Sequence, residues 1–254
     1  MEAHRTLTAR LRTFYPLTDA AIEVLAKAQV QLAQIERGDF VARQGEHAER
    51  TCLLLEGVLA STSFRSEGQR QISGFHLSGD IPDLRSVLLE ILDVGLQAVT
   101  RCRVAYIPHS VIRDLCRREP DLAAAFWKMT LVDGSIHREW ISALGSLDAR
   151  QRTAHLLCEF FYRLRAIGEA TREECPFPLS QSDMADALGI SAVHVNRVLQ
   201  DMRADCLIEL KKKTLRILDW AKLRDAARFN PMYLHLGEIA RPAIAEAAGT
   251  GSGS

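Results

Sequence analysis

The sequence predicts an α+β chain in three parts: an N-terminal antiparallel β-roll of jelly-roll type, one long helix, and a C-terminal winged helix-turn-helix. Three observations carry this. Residues 30–108 are short apolar runs punctuated by glycine turns, residues 122–144 switch to a helical period, and residues 179–218 read as two short capped helices followed by a basic hairpin. The expected boundaries are 1–118 for the roll, 119–146 for the long helix and a hinge, 147–235 for the winged helix-turn-helix, and 236–254 for a flexible tail ending Gly249-Thr-Gly-Ser-Gly-Ser.

Composition narrows the class. The 254 residues are 47% hydrophobic and 25% charged, enough apolar material for one large or two modest globular domains. Met1 to Leu17 carries Arg5, Arg10 and Arg12 with no apolar run behind them, unlike a secretory signal, and no stretch is long and apolar enough to span a bilayer. A cytoplasmic protein without a membrane partner is therefore expected. Basic and acidic residues balance to a formal net charge of zero, so a surface for nucleic acid has to be local. Six cysteines (Cys52, Cys102, Cys116, Cys158, Cys175, Cys206) form no Cys-x-x-Cys pair and are expected to be reduced, mostly buried apolar side chains.

In the roll the candidate strands are Gln29 to Ile35, Cys52 to Phe64, Gln71 to His76 and Leu96 to Ile107. The candidate turns are Gly38-Asp39, Gly45-Glu46, Glu56-Gly57, Glu67-Gly68 and Gly79-Asp80, where glycine tolerates positive φ. Ahead of it Thr18 caps a helix from Asp19 to Ala28.

After Glu119-Pro120-Asp121, a helix start, Leu122, Phe126, Met129, Val132, Ile136, Trp140 and Leu144 recur at alternating steps of three and four. One narrow apolar stripe along about seven turns is simplest to bury against a second copy, so Leu122, Phe126, Met129, Val132, Ile136 and Trp140 are the candidate homodimer interface. Gly145 and Ser146 to Asp148 suggest a hinge, followed by a helix from Ala149 to Ala166 through Ala154, Leu157, Phe161 and Leu164, and then a loop from Glu169 to Pro178.

The most informative stretch starts at Leu179. Ser180 with Asp183 makes an acidic capping box, Met184, Ala187 and Leu188 give one apolar face, Gly189 ends the helix in a left-handed turn, and Ser191 caps a second helix. That helix buries Val195, Val198, Leu199 and Met202 and turns Val193, His194, Asn196, Arg197 and Gln200 outward. The spacing is that of a helix-turn-helix whose second helix enters a major groove of double-stranded DNA. Two short strands follow, joined at Lys211-Lys-Lys, a basic wing for phosphates. The candidate DNA-binding residues are Ser180, Gln181, Ser191, Val193, His194, Asn196, Arg197, Gln200, Arg203, Lys211, Lys212 and Lys213.

These segments together resemble the Crp/Fnr family of bacterial transcription regulators, the cyclic-AMP receptor and FNR type. Arg37-Gly-Asp, Gly45-Glu-His and Leu55-Glu-Gly in the roll, the long helix, Arg152-Thr-Ala-His-Leu-Leu-Cys-Glu, Val193-His-Val-Asn-Arg and Phe229-Asn-Pro-Met-Tyr-Leu carry the likeness across nearly the whole chain. The resemblance implies a cyclic-nucleotide-binding-like jelly roll as sensor, a homodimer on an inverted repeat, and RNA polymerase as a further partner. It also puts Arg197 where the family keeps its base-reading arginine, with Val193 and Asn196 at variable specificity positions.

The sensor pattern departs from the cyclic-AMP branch. Members that bind cyclic AMP carry Gly-Glu-Leu and an Arg-Ser or Arg-Thr pair, whereas the matching segment here, Gly79 to Ala98, brings Asp83, Glu90 and Asp93 where an anion needs cations or N–H donors. Arg85 is expected to pair with one of these carboxylates, so cyclic AMP is not the expected effector. No cysteine precedes Cys52, which speaks against an iron-sulfur sensor of the FNR kind. His76, His109, Cys102 and Cys116 are chemically able haem ligands without a haem pattern; redox sensing by Cys102 or Cys158 is likewise unsupported, Cys102 between Arg101 and Arg103 being the least poor candidate. Cofactor and effector stay open at this level. The rival classes are a cupin-like metal enzyme, which lacks any His-x-His or His-Glu-x-x-His spacing, and a sensor module acting through protein contacts.

Overall fold

The computed structural model describes residues 1–64 and 68–236, which form two compact units, Met1–Ser135 and Ile136–Ser254. The turn at Glu67 and the tail from residue 237 onward lie outside the described residues. The first unit runs α1 (Glu2–Phe14), α2 (Asp19–Ala26), β1 (Gln31–Ile35), β2 (Phe40–Ala42), β3 (Arg50–Glu56), β4 (Leu59–Phe64), β5 (Arg70–His76), α3 (Ser86–Leu89), β6 (Gly95–Ala98), β7 (Cys102–Pro108), α4 (His109–Arg118) and the start of α5 (Pro120–Ser146). The second holds the rest of α5, then α6 (Ala149–Ala166), β8 (Glu174–Pro176), α7 (Gln181–Leu188), α8 (Ala192–Ala204), β9 (Ile208–Lys211), β10 (Thr214–Ile217), α9 (Trp220–Ala226) and a 3-10 turn (Pro231–Leu234).

The roll is two antiparallel sheets, β1-β7-β3 and β2-β6-β4-β5. Period-2 alternation builds its core: Cys102, Val104 and Tyr106 of β7 point to the same side as Cys52 and Leu54 of β3, and Leu59 and Ala98 close the cluster. The expected strand from Cys52 to Phe64 is broken at Gly57, which takes φ 93°; a Cβ there would lie 2.6 Å from the Arg101 carbonyl oxygen. Likewise Leu96 to Ile107 divides into β6 and β7 around Val99 to Arg101.

Helix α1 was not anticipated. It buries Ala3, Leu7, Leu11 and Phe14 at helical spacing. Arg10 guanidinium pairs with Asp80 at 2.6 Å, both nearly buried, and lies over the Phe14 ring at 4.5 Å from its centroid. Thr18 caps α2 as expected, its Oγ1 accepting from Ala21 N.

Helix α5 opens with Pro120 in its first turn and runs 27 residues, about 40 Å at 1.5 Å per residue. The division between the two compact units falls inside it, between Ser135 and Ile136. Helix α6 starts on a full capping box between Asp148 and Gln151, and its predicted apolar face is buried, with Ala154, Leu157, Phe161 and Leu164 at most 3% exposed.

Candidate nucleic-acid interface

The helix-turn-helix forms as its local chemistry dictates. Ser180 Oγ accepts from Asp183 N at 3.1 Å while Asp183 Oδ2 accepts from Ser180 N at 3.0 Å, a reciprocal box that satisfies the first donors of α7. Gly189 ends α7 at φ 66°, and Ser191 Oγ accepts from His194 N at 3.2 Å to start α8. Each cap is worth about 1 kcal/mol. Val195, Val198, Leu199 and Met202 of α8 are buried, which fixes the rotation of that helix. Its other side carries Val193, His194, Arg197, Gln200 and Arg203 exposed and Asn196 half-buried. Val193 is an apolar side chain left 73% exposed. Gln181 and Ser191 are also exposed, whereas half-buried Ser180 has its hydroxyl committed to the cap.

The wing is a hairpin of β9 and β10 in which Lys211 pairs with Thr214, leaving Lys212 and Lys213 as a two-residue loop. Both loop lysines take positive φ, 47° and 62°, the geometry of a type I′ turn that usually calls for Asn-Gly. Holding two L-residues there costs about 1–2 kcal/mol each. The two ammonium groups are thereby thrust beyond the sheet. Lys211 differs, because its Nζ is paired with Glu209. The Glu169 to Pro178 loop hides a third strand, β8, whose Cys175 pairs with Leu215. Arg216 of β10 pairs with Glu173 at 3.0 Å, so this arginine is neutralised beside the three lysines.

In α5 the structure divides two apolar faces. The expected interface residues Leu122, Phe126, Met129, Val132 and Ile136 are at most 7% exposed in the single chain, and Trp140 Nε1 donates to Glu159 at 3.0 Å. That stripe is the face the chain covers itself. Trp127, Leu131, Ile141 and Leu144 are 70%, 55%, 70% and 41% exposed. Trp127, Leu131, Gly134, Arg138, Ile141 and Gly145 follow steps of four and three along this second face.

The segment matching the nucleotide site is internally satisfied. Asp80 is held by Arg10 and by Leu77 N at 2.8 Å. Asp83 is buried in the roll and accepts from Thr51 Oγ1 at 2.5 Å and Cys52 N at 2.9 Å; burial raises its carboxyl to about 6 against the pull of those hydrogen bonds. Arg85 pairs with Asp93 at 2.8 Å, as expected from the charges, and also donates to Pro82 O. Ser86 Oγ meets His109 Nε2 at 2.9 Å, and Ser61 Oγ meets His76 Nε2 at 2.8 Å.

Cys102, the least poor redox candidate of the sequence, is not an activated thiol. Strand alternation sends Arg101 to Glu36 and Arg103 to Glu2 and Glu56, while burial pushes the Cys102 thiol up. Burial likewise raises Cys52, Cys116, Cys158 and Cys175, the last to about 12. Among the described residues no group of three His, Cys, Asp or Glu side chains is placed to hold a metal, and no helix is long and apolar enough to cross a membrane.

A jelly roll, a long helix and a capped helix-turn-helix with a basic wing define a one-component DNA-binding regulator. The Crp-like helix-turn-helix domain matches residues 151–226 and the cyclic nucleotide-binding domain matches residues 32–119. The transcriptional activator protein anr of Pseudomonas aeruginosa is 25% identical over 189 residues, 74% of this chain and 77% of that protein. The nitrogen fixation regulation protein FixK of Azorhizobium caulinodans is 26% identical over 178 residues, 70% of this chain and 71% of that protein. Among solved structures, FixK2 from Bradyrhizobium japonicum superposes with a TM-score of 0.72 at 22% identity, covering 78% of this chain and 97% of that one. The chain belongs to the Crp/Fnr family of transcription regulators, whose members bind DNA and act as dimers.

Proposed function

We propose that the chain is a cytoplasmic homodimer that places one α8 in each of two successive major grooves of an inverted repeat, half-sites about 34 Å apart. The observation that carries this is the outward face of α8, Val193, His194, Arg197 and Gln200, set on a helix whose rotation is locked by four buried side chains and flanked by the Lys212-Lys213 turn. Arg197 has the fork for guanine O6 and N7, Asn196 reaches a neighbouring base edge, and the Val193 methyls suit a thymine methyl. Lys212 and Lys213 have no such fork and hold phosphate.

The partner helix packs on the exposed stripe through Trp127, Leu131 and Ile141, large apolar residues of α5 that are at least 55% exposed in the single chain. RNA polymerase is the further partner at promoters. The chain works without catalysis, and the roll responds to an effector other than cyclic AMP, because Asp80, Asp83, Arg85 and Ser86 are each occupied by the protein's own groups. Selection of bound fragments from a random DNA pool tests this reading: an inverted repeat with one-turn half-site spacing is expected, and an unstructured or single-copy motif refutes it.

A further inference from the structure

Two motifs of the sequence stand apart from the DNA-facing surface: Arg152-Thr-Ala-His-Leu-Leu-Cys-Glu and Phe229-Asn-Pro-Met-Tyr-Leu. Within the second unit they meet each other and the last turns of α5. Glu159 of α6 is 2% exposed and its carboxylate gathers three donors. Trp140 Nε1 donates to Oε2 at 3.0 Å, the Tyr233 hydroxyl donates to the same oxygen at 2.8 Å, and an Arg163 guanidinium N–H donates to Oε1 at 3.2 Å. One turn earlier, buried His155 stacks on the Tyr233 ring at 5.8 Å and 18° and meets the Phe229 ring edge-on at 5.3 Å. Its Nε2 lies 3.4 Å from Glu139 Oε1, a contact of α6 with α5. Arg152 donates to the Leu144 and Leu147 carbonyls, both at 3.2 Å, and so satisfies the open end of α5.

A buried carboxylate is a costly choice for stability alone, since a hydrophobic replacement often does as well. What it supplies is direction, because three donors from three segments fit one oxygen pair in a single arrangement. The corner at Gly145 to Asp148 is consequently braced. Helix α6, which packs against both α7 and α8, is tied to the α5 turns that carry the exposed Ile141 and Leu144.

We propose that Glu159 is a positioning residue for DNA binding: by holding Trp140 and Tyr233 on α6 it sets the angle of the recognition helix against the dimer seam, and so the spacing of half-sites the dimer accepts. This rests on the reading of the chain as a dimeric DNA-binding regulator.

The test uses the full chain and three duplexes: the selected inverted repeat, the same repeat with one base pair inserted at its centre, and a single half-site. The insertion turns one half-site by about 34° relative to the other. Wild type is expected to lose at least about tenfold in affinity, about 1.4 kcal/mol, on the insertion. Tyr233→Phe combined with Trp140→Phe, and separately Glu159→Gln, are expected to shrink that ratio to about threefold or less while half-site affinity stays within about twofold of wild type. Tyr233→Phe keeps its ring and removes one donor, and Trp140→Phe removes the other in exchanging indole for phenyl, so the pair carries the test if Glu159→Gln unfolds. Variants that keep the wild-type ratio, whatever their overall affinity, overturn the proposal, as does a wild type indifferent to the insertion. A wild type that binds no duplex at all overturns the regulator reading beneath it.

Discussion

The sharpest test of the dimer concerns which face of α5 meets its partner. Leu131 is 55% exposed in the single chain and Val132, one residue on, is 4% exposed. Full burial of a leucine is worth about 1.5–3 kcal/mol, so the exposed share of Leu131 leaves about 1–1.5 kcal/mol for the partner to recover, and twice that in a symmetric dimer. Leu131→Asp forfeits this and sets two carboxylates facing each other across the seam, for a total of at least about 3 kcal/mol, more than a hundredfold in the dimer dissociation constant. Val132→Asp instead buries a charge in the chain itself and lowers the melting temperature. Sedimentation over a concentration series with a parallel thermal melt separates the two. Leu131→Asp should sediment as a folded monomer at micromolar concentration. A Leu131→Asp protein that stays dimeric, or a Val132→Asp protein that dissociates with an unchanged melt, refutes the assignment of faces.

Two further outcomes follow from the roll. Asp83 has a folded-state carboxyl near 6 against about 3.9 when unfolded, so its protonated form favours the fold: the contribution is complete below the unfolded value and lost as pH rises through 6. Relative to Asp83→Asn, wild type should therefore lose about 2 kcal/mol of unfolding free energy between pH 4 and pH 7; denaturant titrations with parallel pH profiles contradict this. Cyclic AMP and cyclic GMP at millimolar concentration should leave the thermal melt unmoved, because a ligand at a hundred times its dissociation constant adds about 2.7 kcal/mol and a clear upward shift would be seen.

The parts legible in the sequence are those fixed by short-range chemistry. Ser180 with Asp183, Gly189 and Ser191 specify caps and a turn through partners three or four residues away, and α7 and α8 emerge where that chemistry puts them. Helix α1 carries an equally clear spacing in Ala3, Leu7, Leu11 and Phe14, but Met1 supplies no side-chain cap and its interspersed arginines mask the stripe; Arg10 is buried only because Asp80 waits seventy residues away. Strand β8 is three residues in a proline-bearing loop, and its pairing comes from β10. In α5 the alternation of three and four steps is present on two faces at once, and spacing alone gives no means of telling the face covered by the chain from the face left open. Glu159 and Tyr233 are similarly opaque, since 74 residues separate the two ends of one hydrogen bond.

The most direct measurement compares Arg197→Ala with Lys212→Ala on the selected repeat and on random DNA, each across a range of salt. Arg197→Ala should cost about 1–3 kcal/mol per half-site on the repeat and relax preference at one base pair, with little loss on random sequence. Lys212→Ala should weaken both DNAs alike and flatten the salt slope by about one unit for each phosphate left without its lysine. Equal losses on specific and random DNA for Arg197→Ala would contradict the placement of α8 in the groove.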